Sequence, residues 1–181
     1  MSINEDIVLD WGQPFYHMLK PFIDMDMLES FMLYYKRNMA QNPTKPCKDA
    51  ELFLRGLYQQ QIPVVVLSSS LYELIEFDLE ALGLFGMITQ VFDSEVIEKP
   101  KPSPHALLLP INWLQKNLNV SPSQCIYVGD SLSDMECSRN QVDFFAVLSG
   151  SISRQTFLLN GLPENKIVEN LGELYTILFS D

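Results

Sequence analysis

Short apolar runs alternate with longer segments of helical periodicity from about residue 50 to the end of the chain. Each run is too short for a helix and is bracketed by turn-forming residues, which is the pattern of a buried strand. We predict such strands at 63–67, 91–92, 125–128, 145–148 and 167–168. Apolar strands that alternate with helices indicate a parallel sheet with helices on both faces, a Rossmann-like α/β fold.

The segments between these runs carry the predicted helices, over 50–60, 71–82, 104–117 and 134–140. Ser70 and Glu73 have the spacing of a cap for the second of them. Pro104 suits the first turn of the third, where no backbone N–H is needed.

The first forty residues have helical character of their own. Asp26 and Glu29 form a capping-box pattern in front of apolar positions that recur at helical spacing, namely Leu28, Phe31, Met32, Tyr35 and Met39. Pro43 and Pro46 then break the pattern and suit a hinge. We therefore predict two units, a helical segment over 1–43 and an α/β core over 44–181.

Charge and composition exclude several classes of function. The formal net charge is −11, so a nucleic acid or an anionic membrane would be approached against repulsion. No apolar run approaches the roughly 20 residues needed to cross a bilayer, and the N-terminus lacks a signal-peptide pattern. Cys47, Cys125 and Cys137 have no metal-ligand spacing and fit reduced thiols. We expect a cytoplasmic protein with no nucleic-acid and no membrane partner.

Candidate chemistry lies beyond the carboxyl ends of the predicted strands, where ligands bind in parallel sheets. Ser68 ends the first strand just before a helix, so its hydroxyl and the helix amides could bind phosphate; the plainer alternative is a helix cap. Lys101 lies in a loop stiffened by Pro102 and Pro104, where a fixed ammonium could neutralise phosphate. The alternative is a solvated lysine in a turn.

Asp130 and Asp134 follow another predicted strand, around a glycine turn and a helix start. Carboxylates grouped in this way suit Mg²⁺, which takes one or two protein carboxylates together with waters and substrate phosphate. The alternative for Asp134 is a plain helix cap.

Three of these segments resemble, in order and in spacing, three motifs of the haloacid dehalogenase superfamily. They are Ser68, Lys101-Pro102-Ser103-Pro104, and Gly129-Asp130 with Asp134. The resemblance is to the branch of phosphoglycolate phosphatases and β-phosphoglucomutases. It implies an Mg²⁺-dependent phosphatase of a small phosphorylated metabolite, with Lys101 and Ser68 on phosphate and Asp130 and Asp134 on the metal. It also implies that the 1–43 segment is part of a helical cap.

The first motif of that family, a strand followed by Asp-x-Asp-Gly-Thr with the nucleophilic aspartate, does not occur in the sequence. Asp24-Met25-Asp26 has paired acids, but Pro21 and the helical context disfavour a strand there. Ile7-Val8-Leu9-Asp10 could be a substitute strand with Asp10 as nucleophile, although Trp11-Gly12 supplies no second acid. We expect that the chain starts inside the cap, without the nucleophile strand.

That expectation leaves a gap at the sheet centre, between the strands that end at Ser68 and Val128. Residues 7–10 could fill it, the two strands could pair directly, or a second chain could supply a strand. For function we expect weak Mg²⁺ binding and impaired catalysis. The alternatives are a non-catalytic binding or regulatory protein and a truncated product. A receiver-like domain is disfavoured by the Lys-Pro-Ser-Pro element and by the helical N-terminal segment.

Overall fold

The computed structural model describes residues 24–41 and 45–179, and in these residues helices and parallel strands alternate. The helices are α1 Met25–Gln41, α2 Ala50–Gln59, α3 Tyr72–Ala81, α4 His105–Leu118, α5 Leu132–Ser138, α6 Arg154–Leu159 and α7 Leu171–Phe179. The strands are β1 Val65–Leu67, β2 Gln90–Phe92, β3 Ile126–Gly129, β4 Asp143–Val147 and β5 Ile167–Val168. The α/β class predicted from the apolar runs is confirmed, and most boundaries agree within two residues.

The strands form two parallel sheets. One has the order β3-β4-β5, with Val128 opposite Phe145 and Val147 opposite Val168. The other pairs β1 with β2, with Val66 opposite Val91.

Strand β4 shows why helices cover both faces of the larger sheet. Its side chains alternate between two apolar clusters, as the period of two in a strand requires. Phe145 and Val147 pack with α2 and α7 around the buried Leu174. Phe144 and Ala146 point the other way and pack with α5 and α6 in a second cluster. Every apolar side chain of β4 is therefore buried, on one face or on the other.

Among the described residues β1 and β3 belong to different sheets and leave a gap between them, although side chains of both strands join the same clusters. Leu67 and Tyr127 join one cluster with α4, and Val64 and Val128 pack against the cluster of α2 and α7. No strand pairing joins β1 to β3 within residues 24–41 and 45–179. Direct pairing, one of the three arrangements considered, is therefore not what the described residues adopt.

Alternate residues of β1 direct their backbone N–H and C=O groups toward this gap. The carbonyl of Val64 accepts from Thr89 and the amide of Ser68 donates to Phe92, so these positions face β2. By the alternation of a strand, the N–H and C=O groups of Val65 and Leu67 point to the opposite edge. Residues of β1 and β3 are only half-buried or exposed, whereas β4 is buried from Phe144 to Val147. Within the described residues, no strand pairs with this edge of β1.

Helix α1 packs on α3 through Tyr35, which donates to Asp78 at 3.1 Å, and Lys36, which pairs with Glu73 at 3.0 Å. Asp24 accepts from the Met27 amide at 2.9 Å at the start of α1. The capping box predicted for Asp26 was therefore placed two residues too late, because Asp24 is the acid whose side chain reaches the first free amides.

Candidate active site

The candidate site lies where β3 ends and the chain turns into α5. Gly129 is the last residue of β3, Asp130 follows it, and Ser131 caps α5. Ser131 and Asp134 form a reciprocal capping box: the Asp134 amide donates to Ser131 Oγ at 3.1 Å, and the Ser131 amide donates to Asp134 Oδ2 at 3.2 Å. The helix therefore starts at Leu132, two residues before the predicted start, because Ser131 is the stronger start signal.

Asp134 also joins this turn to the loop after β2. Lys101 Nζ lies 2.8 Å from Asp134 Oδ1, with side-chain exposures of 14% and 7%. The Tyr127 hydroxyl donates to the same oxygen at 2.7 Å, and Ser131 Oγ donates to Asp134 Oδ2 at 2.6 Å. Asp134 is thus the acceptor at the centre of a four-donor network, which goes beyond the helix-cap role considered for it.

The two site aspartates have opposite electrostatic environments. Burial acts to raise the pKa of Asp134, but the charge of Lys101 and the hydrogen bonds from Lys101, Ser131 and Tyr127 outweigh burial and lower that pKa. The pKa of Asp130 is raised, first by partial desolvation and then by the negative charge of Asp134. Negative charge is therefore well compensated at Asp134 and poorly compensated at Asp130.

Two glycines allow these aspartates to approach the backbone. A Cβ on Gly129 would overlap the Asp134 side chain, with Oδ2 only 2.8 Å away. A Cβ on Gly150, in the loop after β4, would lie 2.6 Å from Asp130 Oδ2. The carboxylates therefore rest against glycine backbone at the ends of two neighbouring strands.

Ser68 lies at the carboxyl end of β1, as predicted. Its hydroxyl accepts from the Ser70 amide at 3.1 Å. The cap predicted for α3 from Ser70 and Glu73 is wrong: the Tyr72 amide at the helix start donates to Asp93 Oδ2 at 2.9 Å. Asp93 is a buried acid from the end of β2, only 4% exposed, so a residue distant in sequence supplies the cap.

The structure therefore brings Lys101, Asp130 and Asp134 together. Ser68 has no hydrogen bond to these three in the part of the chain that is described, and Asp10 lies outside the described residues. Sequence analysis missed Tyr127 and Ser131. Ser131 could have been found as the start of a Ser-x-x-Asp capping box, and Tyr127 as a tyrosine in a buried strand, whose hydroxyl needs a partner.

The described residues contain no group of three or more histidine, cysteine, aspartate or glutamate side chains placed to hold a metal ion. Asp130 and Asp134 remain a pair of neighbouring carboxylates. None of the helices within residues 24–41 and 45–179 is long and apolar enough to cross a membrane.

Comparison of the sequence with known proteins identifies the family of this chain. The sequence profile described as "Haloacid dehalogenase-like hydrolase" matches residues 4–147. A protein of Clostridium perfringens that carries the pyrophosphatase name PpaX is 27% identical over 139 residues, which are 76% of this chain and 63% of the relative. A PpaX pyrophosphatase of Listeria monocytogenes is 22% identical over 125 residues, 69% of this chain and 55% of its own length.

Solved structures agree with this match. A structure from Bacteroides fragilis described as haloacid dehalogenase-like is 27% identical, with a TM-score of 0.63, over 88% of this chain and 75% of that one. The L-2-haloacid dehalogenase of Xanthobacter autotrophicus, at 17% identity, shares the fold with a TM-score of 0.60 over 91% and 73% of the two chains. The chain spans 55% to 63% of the length of the curated relatives named above.

Proposed function

The chain belongs to the haloacid dehalogenase-like hydrolase family, and we propose that its site binds the phosphate of a small phosphorylated metabolite but turns it over poorly. The observation that carries the proposal is the ion pair of Lys101 and Asp134 at 2.8 Å. It holds an ammonium in place beside a second carboxylate, Asp130, at the carboxyl edge of parallel strands. A fixed cation at such an edge offsets the charge of a bound phosphate.

Lys101 and Ser68 each carry a hydrogen-bond donor that could contact a phosphate oxygen. Lys101 has three N–H donors, and one of them is directed at Asp134, which leaves two for phosphate oxygens. The Ser68 hydroxyl accepts from the Ser70 amide and keeps its own O–H as a donor. We assign both residues to phosphate binding.

We assign Asp130 and Asp134 to a weak Mg²⁺ site. The chemistry fits, because Mg²⁺ needs only one or two carboxylates beside waters and phosphate oxygens. The raised pKa of Asp130 marks negative charge that a cation would compensate. Asp134 already accepts four hydrogen bonds, so Asp130 would be the main ligand. When bound, the ion would neutralise phosphate charge.

Poor turnover follows from the missing Asp-x-Asp-Gly-Thr motif. Lys101 can stabilise charge on a phosphate, but only a positioned carboxylate can attack phosphorus and form the covalent intermediate. A well-placed nucleophile is worth an effective concentration of about 10⁵ M or more, so its loss costs many orders of magnitude in rate. The competing proposal is that Asp10 serves as the nucleophile.

A second candidate function is that of a binding or regulatory protein built on the same scaffold. The edge of β1 that faces away from β2 favours it. No described strand pairs there, and the N–H and C=O groups of such an edge can pair with a strand of a second chain. Size-exclusion chromatography with light scattering at several concentrations tests the simplest form, in which the second chain is another copy. Monomer at every concentration contradicts that form.

Calorimetric titration with inorganic phosphate tests the main proposal. We expect binding that weakens in Lys101→Met and stays unchanged in Lys116→Met, a control in the last turn of α4. Titration with MgCl₂ should give weak binding that Asp130→Asn reduces further. Phosphate binding that is equal in wild type and Lys101→Met would refute the assignment of the site.

Hydrolysis assays separate the two accounts of turnover. p-Nitrophenyl phosphate, phosphoglycolate and pyrophosphate should all be turned over negligibly, with or without Mg²⁺. Pyrophosphate is included because the relatives carry a pyrophosphatase name. Clear Mg²⁺-dependent hydrolysis that disappears in Asp10→Asn would overturn the impaired state and establish Asp10 as nucleophile.

A further inference from the structure

The Tyr127 hydroxyl is a buried polar group at the centre of the site. It extends from β3 and donates to Asp134 Oδ1 at 2.7 Å. Its ring lies against Phe144 at a centroid distance of 5.9 Å and packs into the cluster beneath α4. The ring is therefore held by strand and helix alike, and the direction of the hydroxyl is fixed with it.

Two donors of different chemistry converge on one oxygen. Lys101 Nζ reaches Asp134 Oδ1 at 2.8 Å, beside the Tyr127 hydroxyl. A carboxylate oxygen has two lone-pair directions, so each donor restricts where the other can approach. The second oxygen, Oδ2, accepts from the hydroxyl and the amide of Ser131. Because both oxygens accept hydrogen bonds, the Asp134 carboxylate cannot rotate without breaking at least one of them.

The two partners of Oδ1 differ in rigidity. Lys101 has a flexible four-carbon stem and sits in a loop, whereas Tyr127 is anchored in a strand. The rigid donor therefore sets the position of the carboxylate, and the carboxylate sets the position of the ammonium. From this geometry we propose that Tyr127 is a positioning residue: acting through Asp134, it orients the Lys101 ammonium toward bound phosphate.

This inference rests on the proposed phosphate site, and Tyr127→Phe tests it. The substitution removes one oxygen and keeps the packing against Phe144. The matched control is Tyr175→Phe on α7. It also removes a tyrosine hydroxyl, which accepts a hydrogen bond from Gln60 Nε2 at 2.8 Å. Thermal unfolding of both variants establishes that each is folded.

Two readouts follow. The first is the affinity for inorganic phosphate, which we expect to fall about threefold to tenfold in Tyr127→Phe, as for coupled residues of one network, and to stay unchanged in Tyr175→Phe. The second is the side-chain ammonium signal of Lys101 in ¹H–¹⁵N NMR spectra, identified by its loss in Lys101→Met. We expect its order parameter to drop in Tyr127→Phe alone. A purely structural tyrosine would leave that signal unchanged.

The outcomes distinguish the inference from the function on which it rests. If wild type binds no phosphate, the proposed function fails, and the ammonium order parameter still decides whether Tyr127 positions the Lys101 ammonium. If wild type binds phosphate and Tyr127→Phe matches it in affinity and in ammonium order, the inference is wrong. Should Tyr127→Phe not fold, wild type labelled with 3-fluorotyrosine replaces it: phosphate must shift the Tyr127 fluorine signal, and Lys101→Met must abolish the shift.

Discussion

Lys101 Nζ and Asp134 Oδ1 lie 2.8 Å apart although the two residues are 33 positions apart in the sequence. Lys101 belongs to the loop after β2 and Asp134 to α5 after β3, so this pair joins the segments that follow the two separate sheets. Both side chains are largely shielded from water, and a shielded pair is screened little by salt. We therefore expect the pair to stabilise the fold as well as to hold Lys101 within the candidate site.

Replacing Asp134 by asparagine should lower the stability of the fold, whereas the same replacement at Asp130 should not. In Asp134→Asn the Lys101 ammonium loses its counter-charge in a shielded place, and we expect a loss of about 3 kcal/mol in the free energy of unfolding. In Asp130→Asn a poorly compensated charge disappears, so stability at pH 7 should be unchanged or raised by at most about 0.5 kcal/mol. The effect is small because the residue as a whole is solvent-exposed and its carboxylate only partly desolvated. Urea unfolding of both variants measures this. Equal destabilisation by the two would contradict the assigned environments.

Acid should weaken the fold through Asp134. Its pKa is lowered from the ordinary value of 3.8 in the folded state, so the unfolded chain binds the proton more readily. The contribution to stability is complete above the unfolded pKa and is lost as pH falls through the folded pKa. Urea unfolding of wild type from pH 7 to pH 3 should show this decline. The decline should be shallower in Asp134→Asn, and identical slopes would argue against Asp134 as its source.

Gly129→Ala should destabilise the site turn, because the added methyl group overlaps the Asp134 side chain. Overpacking of this kind costs about 1–3 kcal/mol. Gly86→Ala is the matched control, since a Cβ there meets nothing within 4 Å. Melting temperatures of the two variants, measured side by side, decide the point. We expect a clear drop for the first and a negligible change for the second.

Hydrogen exchange should distinguish the open edge from the interior of the larger sheet. The amides of Val65 and Leu67 point away from β2, so we expect them to exchange quickly in the native state. The amides of Phe145 and Ala146 lie in β4 between two neighbouring strands and should be strongly protected. Strong protection of Val65 and Leu67 would instead show that another strand pairs with β1, from residues 7–10 or from a second copy of the chain.

The three thiols should react in the order of their exposure. Cys47 is exposed and Cys137 is buried, and desolvation raises the pKa of Cys137 to about 11. The thiolate is the reactive form, and partial burial also raises the pKa of Cys47. Access therefore decides the order, and a disulfide reagent at pH 8 should modify Cys47 first and Cys137 only after unfolding. Cys47→Ser should remove the fast phase. Cys125 is intermediate in exposure, so a fast phase that survives in the double variant Cys47→Ser/Cys125→Ser would contradict the burial of Cys137.

The fold class could be predicted from the sequence because each buried strand is a short apolar run bounded by turns. β4 is the clearest case: with helices on both faces, every one of its inner positions must be apolar. Lys101, Asp130 and Asp134 could be selected as candidates because residues at the carboxyl ends of parallel strands lie near each other regardless of their distance in sequence.

Contacts between elements could not be predicted in the same way. The cap of α3 comes from Asp93, which is distant in sequence, whereas the prediction considered only the local residues Ser70 and Glu73. The role of Tyr127 depends on where its hydroxyl points once β3 is paired, and an apolar run carries no such information. The absence of pairing between β1 and β3 likewise depends on which strands meet in space, while both runs look equally strand-like.

The gap between β1 and β3 has a consequence for how the molecule unfolds. Among residues 24–41 and 45–179 no strand pairing joins β1 to β3. Within these residues the two halves are coupled by packing beneath α4, by the cluster of α2 and α7, and by the ion pair of Lys101 and Asp134. Side-chain packing can be lost while hydrogen-bonded backbone structure remains. We therefore expect the β1-β2 half to open as a separate cooperative unit while β3, β4 and β5 remain intact.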